Sequence, residues 1–409
     1  MKTPNTESLV KIYGESEKSA ERFASLAQNF TKIFEKEDME FFTAPGRTEI
    51  IGNHTDHNGG MILAGSITLD TIAAAAPNGT SVIRIVSEGY EGQITVDTQK
   101  LDKETTGTVA LVSGMVEGAG KFGYKVSGFD AYVSTNVIAA AGVSSSASFE
   151  MLICSIMNYF FNESRMEYSD YARIGQYAEN VYWKKASGLM DQMACAVGGT
   201  ILLDFSDVNK IQYRKVDFTF DKAGYDLVIV NTGKGHADLS QDYSDVPNEM
   251  KAVAAKLGVN WLADTTLENL LVHVNEMDND RAVLRAMHFF EENRRVKEAA
   301  AAVEAKDYEK VLRLLEQSGD SSWKWLQNCY TVQDCSEQKI TLTLALTRLF
   351  LDKIGAGICR VHGGGFAGVI MCVVPKDRTQ DYVSYIAQYV GNDNVYPMNV
   401  RDTGAVHID

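Results

Sequence analysis

The sequence predicts an α+β fold divided between two domains, and three observations carry that expectation. A chain of 409 residues exceeds what one hydrophobic core ordinarily serves. Strand-like and helical segments alternate irregularly, which argues against the regular repeat of a doubly wound parallel sheet. The apolar run 225–231 (Tyr-Asp-Leu-Val-Ile-Val-Asn) reads as the opening strand of a second domain. The expected division is 1–220 and 221–409.

Helical periodicity runs through 7–36, where Leu9, Ile12 and Tyr13, then Phe23, Leu26, Phe30, Ile33 and Phe34, recur between charged residues. Strand-like runs follow at Ile62-Leu63, Thr71-Ile72-Ala73, 81–86 and 94–96, separated by turn residues such as Pro77-Asn78-Gly79. A strand near 128–138 runs into Ala139-Ala140-Ala141-Gly142 and a serine cluster. From there a long apolar helix departs through Phe149, Leu152, Ile153, Ile156 and Tyr159. A second helix over about 167–186 leads into Ser187–Gln192, and 245–355 is mostly helical. Strands at 357–362 and 366–374 flank Gly363-Gly364-Gly365; a helix near 376–391 and a strand near 395–400 close the chain.

Composition bounds the function. With 45% hydrophobic and 23% charged residues, the chain falls among ordinary globular proteins. A formal net charge of −15 leaves no basic excess for nucleic acid or for an anionic membrane. An anionic ligand must therefore be held by local cations and backbone N–H groups. The six cysteines (Cys154, Cys195, Cys329, Cys335, Cys359, Cys372) form no Cys-x-x-Cys pair, so neither a disulfide framework nor a zinc site is expected. The N-terminus has no apolar signal region and no apolar run approaches ~18 residues, which predicts a cytoplasmic location.

The densest polar segment is Pro45–Gly60, which sets Arg47, Asn53, His54, Asp56, His57 and Asn58 among four glycines. Side chains of this kind seldom build a core, and glycines let backbone approach a ligand closely. The segment reads as a loop gripping a small hydroxyl-rich molecule; a solvated hairpin is the alternative. Gly142–Ser148 lies between a strand and a helix. Small residues at a helix N-terminus offer free N–H groups and the dipole's positive end to phosphate, and serine oxygens suit Mg²⁺. It is not a Walker loop, because no Gly-Lys-Ser/Thr follows; a serine-rich N-cap is the plain alternative. Gly363–Gly368 allows tight backbone packing or simply turns a hairpin. Asp191, among Gly188, Leu189 and Met190, is a carboxylate placed for burial beside a reacting group, or an N-cap. Glu179 is a candidate Mg²⁺ ligand, or part of a solvated helix face.

In order and spacing these motifs resemble the GHMP small-molecule kinases, and among them the galactokinase family. The family pattern Gly-Arg-Val-Asn-Leu-Ile-Gly-Glu-His-Thr-Asp-Tyr-Asn-Gly-Gly is similar to Gly46–Gly60. Gly-Leu-Ser-Ser-Ser-Ala-Ser resembles Gly142–Ser148, Gly-Ile-Met-Asp-Gln resembles Gly188–Gln192, and Thr-Gly-Gly-Gly-Phe-Gly-Gly resembles His362–Gly368. Tyr243 and the segment 288–296 also resemble family positions, so the likeness spans nearly the whole chain.

The resemblance implies a two-domain GHMP kinase fold of mixed sheets and helices, with the active site in the cleft between the domains. It implies a sugar 1-kinase using ATP and Mg²⁺, most simply one converting galactose to galactose 1-phosphate. Asp191 would accept or orient the proton of the anomeric hydroxyl; Arg47 would offset phosphoryl charge and hold Asp191 ionised. Gly142, Val143, Ser144, Ser145, Ser146, Ala147 and Ser148 would wrap the ATP phosphates, with Ser146 and Glu179 at Mg²⁺. Asn53, His54, Asp56, Gly188 and Tyr243 would contact the sugar. Expected partners are a small-molecule sugar and ATP, with no nucleic acid and no membrane, in a monomer or homodimer.

The chain departs from the family mostly on the sugar side. Asn53 stands where the family carries a glutamate near the sugar C6 hydroxyl, and His57 replaces a tyrosine. Ile138 and Ala140 replace a proline and a glycine, Lys184 replaces a glycine, Lys185 adds a charge, and Gly319 falls where the family has histidine. A sugar with an acidic C6, such as galacturonate, is therefore the alternative substrate. A non-catalytic sugar sensor is a reading of another class, against which the intact Arg47, Ser146, Ala147 and Asp191 argue.

Overall fold

The structure, a computed structural model, describes residues 3–139, 141–185, 187–207, 211–233, 239–366 and 368–409. Ala140 and Ala367, both in segments singled out above, lie outside the described residues. The strands are β1 (Glu40–Ile51), β2 (Met61–Pro77), β3 (Val82–Ser87), β4 (Ile94–Asp97), β5 (Phe129–Thr135), β6 (Thr200–Asp204), β7 (Gln212–Val216), β8 (Tyr225–Asn231), β9 (Ile358–Val361), β10 (Val369–Pro375), β11 (Val395–Met398) and β12 (Val406–Ile408). The helices are α1 (Thr6–Tyr13), α2 (Glu17–Phe34), α3 (Gly107–Lys121), α4 (Ser145–Phe161), α5 (Tyr168–Val181), α6 (Met190–Val197), α7 (Ser240–Lys256), α8 (Leu267–Val272), α9 (Asp280–Glu304), α10 (Tyr308–Ser321), α11 (Lys339–Ile354) and α12 (Thr379–Val390).

One sheet runs β12-β1-β2-β5-β3-β4, with β6 and β7 extending from β2; a second runs β11-β8-β10-β9. In the first, β3 and β5 pair in parallel while β1, β2 and β6 pair antiparallel. This is the mixed α+β architecture the irregular alternation anticipates. Phe23 and Phe30 of α2 pack with Phe41 and Tyr132 on one face of the first sheet. Leu152 and Ile156 of α4 and Ile174 of α5 join Phe42, Ile83 and Val133 on the other. The second sheet is sandwiched as well: Ile340, Leu344 and Ile386 of α11 and α12 meet one face. Leu227, Ile229 and Met371 on the other face share a core with α9, α10, the Ile51 and Leu63 side chains of the first sheet, and Val143 in the turn before α4.

Several expectations are corrected. The segment Pro45–Gly60 is a loop only from Gly52 onward; its first half belongs to β1. Arg47, Thr48 and Glu49 are buried there, so no polar-apolar alternation advertises the strand. A bulge between Glu49 and Ile51, and a register shift between Pro45 and Arg47 whose extra residues lie on β2, interrupt its pairing, the usual way a strand re-aims side chains beside a site. The two short strands expected at 62–63 and 71–73 are one strand, β2, whose first part pairs with β6 and whose second part pairs with β5. The single helical segment at 7–36 is two helices, because Gly14 at φ 74° caps α1. Helix α3 escapes propensity because it carries Gly114 and Gly118. A Cβ on Gly114 would stand 2.8 Å from Ala178 Cα, so the glycines let α3 lie close against α5. The chain does not end on β11: β12, too short to read in sequence, returns to pair with β1.

Candidate active site

The Arg47 guanidinium meets the Asp191 carboxylate edge to edge, Nε to Oδ1 at 2.7 Å and Nη2 to Oδ2 at 2.8 Å. β1 supplies Arg47 and the first turn of α6 supplies Asp191, 144 residues later. Arg47 Nη1 also donates to the Gly142 carbonyl, and Ser144 Oγ donates to Asp191 Oδ2. Burial by itself would raise the Asp191 carboxyl; Arg47 and Ser144 overcome it and hold the group below the usual carboxylate value. Asp191 is therefore an ionised, weakly basic carboxylate facing a cavity.

That cavity, about 180 Å³, is lined by Arg47, Glu49, Asn53, His54, Asp56 and Asp191, with Gly188 and Gly364 among its walls. His54, at φ 58°, donates from Nε2 to the Gly364 carbonyl at 2.9 Å. Its Nδ1 therefore carries a lone pair, is buried, and has no partner among the described residues. Burial, with His57 beside it, pushes this imidazole down to about 4, so it stays neutral. Asp56 stands so close to Gly188 that a Cβ there would lie 2.6 Å from Asp56 Oδ2. The pair offers a carboxylate and a bare backbone on one wall, a suitable surface for adjacent hydroxyls. Tyr243 sits one layer back: its ring packs against Gly364 and its hydroxyl donates to the Gly365 carbonyl at 2.7 Å.

The phosphate-loop candidates divide in the same way. Gly142 (φ 65°) and Ser144 (φ 57°) turn the chain into α4. The Val143 side chain is buried, while its carbonyl accepts from Arg47 N at 3.1 Å. Ala147 and Ser148 are buried, and Ser148 Oγ bonds Ala44 O and Thr71 Oγ1, tying α4 to the sheet. Ser145 and Ser146 instead line a second cavity of about 500 Å³, walled by Tyr90, Val109, Phe149 and Trp183. The two cavities adjoin where Ser146 Oγ donates to Glu179 Oε1 at 3.1 Å.

Glu179 Oε1 also receives Lys185 Nζ at 2.7 Å. Lys184, at φ 54°, holds the backbone shape a glycine would take there. Among the described residues no group of three or more His, Cys, Asp or Glu side chains could enclose a metal. A carboxylate and a hydroxyl side by side nevertheless suit Mg²⁺, which binds through one or two protein oxygens plus phosphate and water.

Beneath the cavity lies a buried polar scaffold. Glu292 of α9 accepts from Gly52 N (3.0 Å), Asn53 N (3.3 Å), Ser318 Oγ (2.5 Å) and Arg295 Nε (2.8 Å). His288 Nε2 donates to the Asn53 carbonyl at 2.9 Å. Asn53 Nδ2 bonds Glu49 and Gly363, and Glu49 bonds Arg360. Burial pushes the Glu49 carboxyl up to about 7 against the pull of Arg360. A side chain at Gly319 would press on Arg360, its Cβ lying 2.8 Å from that of Arg360.

Residues 28–77 match the galactokinase galactose-binding signature, and 110–199 match the GHMP kinases N terminal domain. Galactokinase of Staphylococcus carnosus is 31% identical over 366 residues, covering 87% of this chain and 91% of the relative. The chain belongs to the galactokinase family. Streptococcus thermophilus galactokinase is 29% identical over 374 residues, covering 89% and 93%. Among solved structures, Lactococcus lactis galactokinase complexed with galactose superposes with a TM-score of 0.79 at 26% identity, over 94% of this chain and 99% of that one.

Within this galactokinase-family frame, the structure brings Arg47, Asp191, Gly142 and Ser144 to one point, and His54, Asp56 and Gly188 to the adjoining cavity. Reasoning from sequence passes over Glu49, Arg360, Glu292 and Asn328. Their partners lie far away in sequence, 311 residues in the case of Glu49 and Arg360. The available signal was the exchange of an amide and a carboxylate between positions 49 and 53 relative to the family pattern.

Proposed function

We propose that this galactokinase-family chain phosphorylates galactose at C1 at the expense of ATP. One observation carries the reading: a sugar-sized polar cavity and an apolar cavity adjoin at Ser146–Glu179, with the Arg47–Asp191 pair on the sugar side. The galactokinase relatives and the galactose bound to the Lactococcus lactis enzyme support the choice of sugar.

In this mechanism the larger cavity takes the nucleoside of ATP, with Trp183 and Tyr90 as flat walls. The phosphates run past Ser145 and Ser146 at the N-terminus of α4, where free N–H groups and the helix dipole favour anions. His54 Nδ1 and the Asp56 carboxylate accept sugar hydroxyls and orient the ring. Asp191 accepts a hydrogen bond from the C1 hydroxyl and aims its oxygen at the terminal phosphorus. The C1 oxygen bonds to phosphorus as the bond from that phosphorus to ADP breaks, and the low basicity of Asp191 suits a loose transition state in which the proton passes to its carboxylate late. Arg47 offsets charge on the transferring phosphoryl group. Ser146 and Glu179 would hold Mg²⁺, which when bound neutralises charge on the outer phosphates. A cytoplasmic location accompanies this reading.

The test is an ADP-release panel with galactose, N-acetylgalactosamine, galacturonate, glucuronate and arabinose, with the product read by phosphorus NMR. Galactose should turn over fastest and carry phosphate on C1. Absence of ADP release with every sugar, or phosphate on another carbon, contradicts the proposal.

A further inference from the structure

Asn53 lines the sugar cavity, yet its amide is committed inside the protein. Nδ2 donates to the Gly363 carbonyl at 2.7 Å and to both Glu49 oxygens at 3.1 and 3.3 Å. Oδ1 accepts from Asn328 Nδ2 at 2.8 Å and Ser322 Oγ at 3.4 Å. Two N–H groups and two lone pairs are the full complement of an amide. Glu49 lines the same cavity and differs. Its Oε1 takes Arg360 Nη2 at 3.0 Å and Asn53, while Oε2 has only the 3.3 Å contact from Asn53. A carboxylate oxygen can accept twice, so Oε2 retains a site.

The family pattern carries an amide at the position of Glu49 and a carboxylate at that of Asn53. Here the two have changed places and remain hydrogen-bonded to each other, so the cavity keeps one carboxylate at this end. Arg360 balances Glu49 but is otherwise spent on backbone, Nε on Val361 O at 3.1 Å and Nη1 on Ile50 O at 2.9 Å. Lys185, also on the cavity wall, is bonded to Glu179.

We propose that Glu49 Oε2 accepts a hydrogen bond from one sugar hydroxyl, and that this carboxylate makes the site select a neutral hexose over a uronate. The inference rests on the sugar-kinase reading and names the residue that sets its substrate class. Above the value of about 7 to which burial raises the Glu49 carboxyl, a uronate would place a second carboxylate against an ionised, buried one, where like charges resist joint ionisation. A site built to hydrogen-bond a hydroxyl also rejects analogues lacking it far more steeply than an apolar pocket would.

The test uses galactose, its 2-, 3-, 4- and 6-deoxy analogues and galacturonate with the full chain and E49Q, alongside ATP affinity and unfolding midpoint. In the unmodified protein, one deoxy analogue should lose at least about tenfold in kcat/KM. In E49Q that loss should shrink below about threefold, losses at other hydroxyls should persist, and the galactose-to-galacturonate preference should fall at least about tenfold. Should E49Q fail to fold, E49N/N53E returns the carboxylate to position 53. It should recover the hydroxyl sensitivity and uronate exclusion that E49N lacks. A full deoxy pattern and an unchanged sugar preference in E49Q, or in E49N where that is the folded variant, would overturn the assignment of Glu49. Absence of ADP release from the unmodified protein with every sugar would instead remove the sugar-kinase reading, and this inference with it.

Discussion

Arg47 and Asp191 join through two parallel N–H···O bonds, and a lysine at position 47 could keep the charge but not the fork. Arg47→Lys should therefore lower kcat by about 100-fold or more in an ADP-release assay. On the sugar side, Gly188 leaves room for Asp56, and a methyl group there would push the carboxylate from its place. Gly188→Ala should raise the galactose KM by about tenfold while the ATP KM stays within about twofold, a split read from initial rates. These residues were legible in sequence because each sits in a short, dense motif. Glu49 was not read: the exchange with position 53 marks it in sequence, but its role shows through partners such as Arg360 and Asn53, which the fold supplies.

Elements explain how the sugar loop keeps its shape. Bulged β1 delivers Arg47, and α9 catches the loop after it, with Glu292 accepting the N–H groups of Gly52 and Asn53. Burial would raise the Glu292 carboxyl, but Arg295, His288 and Arg360 outweigh it and bring the group to about 2. Replacing it leaves Arg295 without its carboxylate, so Glu292→Gln should cost about 3–5 kcal/mol in urea unfolding at neutral pH. The sign of the pH dependence follows from a folded value below the unfolded ~4.3. This contribution is complete above the unfolded value and is lost as pH falls toward the folded one. Between about pH 5 and pH 2, the unmodified protein should lose about 3 kcal/mol more stability than Glu292→Gln. Periodicity found α2, α4 and α5 but could not find that bulged strand, where consecutive buried polar residues erase the alternation. Nor could it show that α9 supports the sugar loop, since that depends on tertiary packing.

The whole molecule is two sheets sharing a core, with the chain returning at its end to the first sheet through β12. Arg401 lies at that return: it is 3% exposed and meets Asp70 at 2.8 Å, with Thr43 Oγ1 at 3.0 Å. Arg401→Ala should destabilise the fold by about 3–5 kcal/mol in thermal or urea unfolding, because Asp70 then loses a buried partner. The α+β class and the order of the four motifs were visible in the sequence; the closure through β12 was not, since three residues carry no periodicity. All of this scaffolding converges on one pair, Arg47 and Asp191, between a sugar cavity and a phosphate loop. The most direct test is galactose-dependent ADP release by Asp191→Asn, measured beside its ATP affinity. Turnover should fall by about 1,000-fold or more, with ATP affinity within about threefold of the unmodified protein. An Asp191→Asn variant that turns over galactose at the unmodified rate would contradict the account.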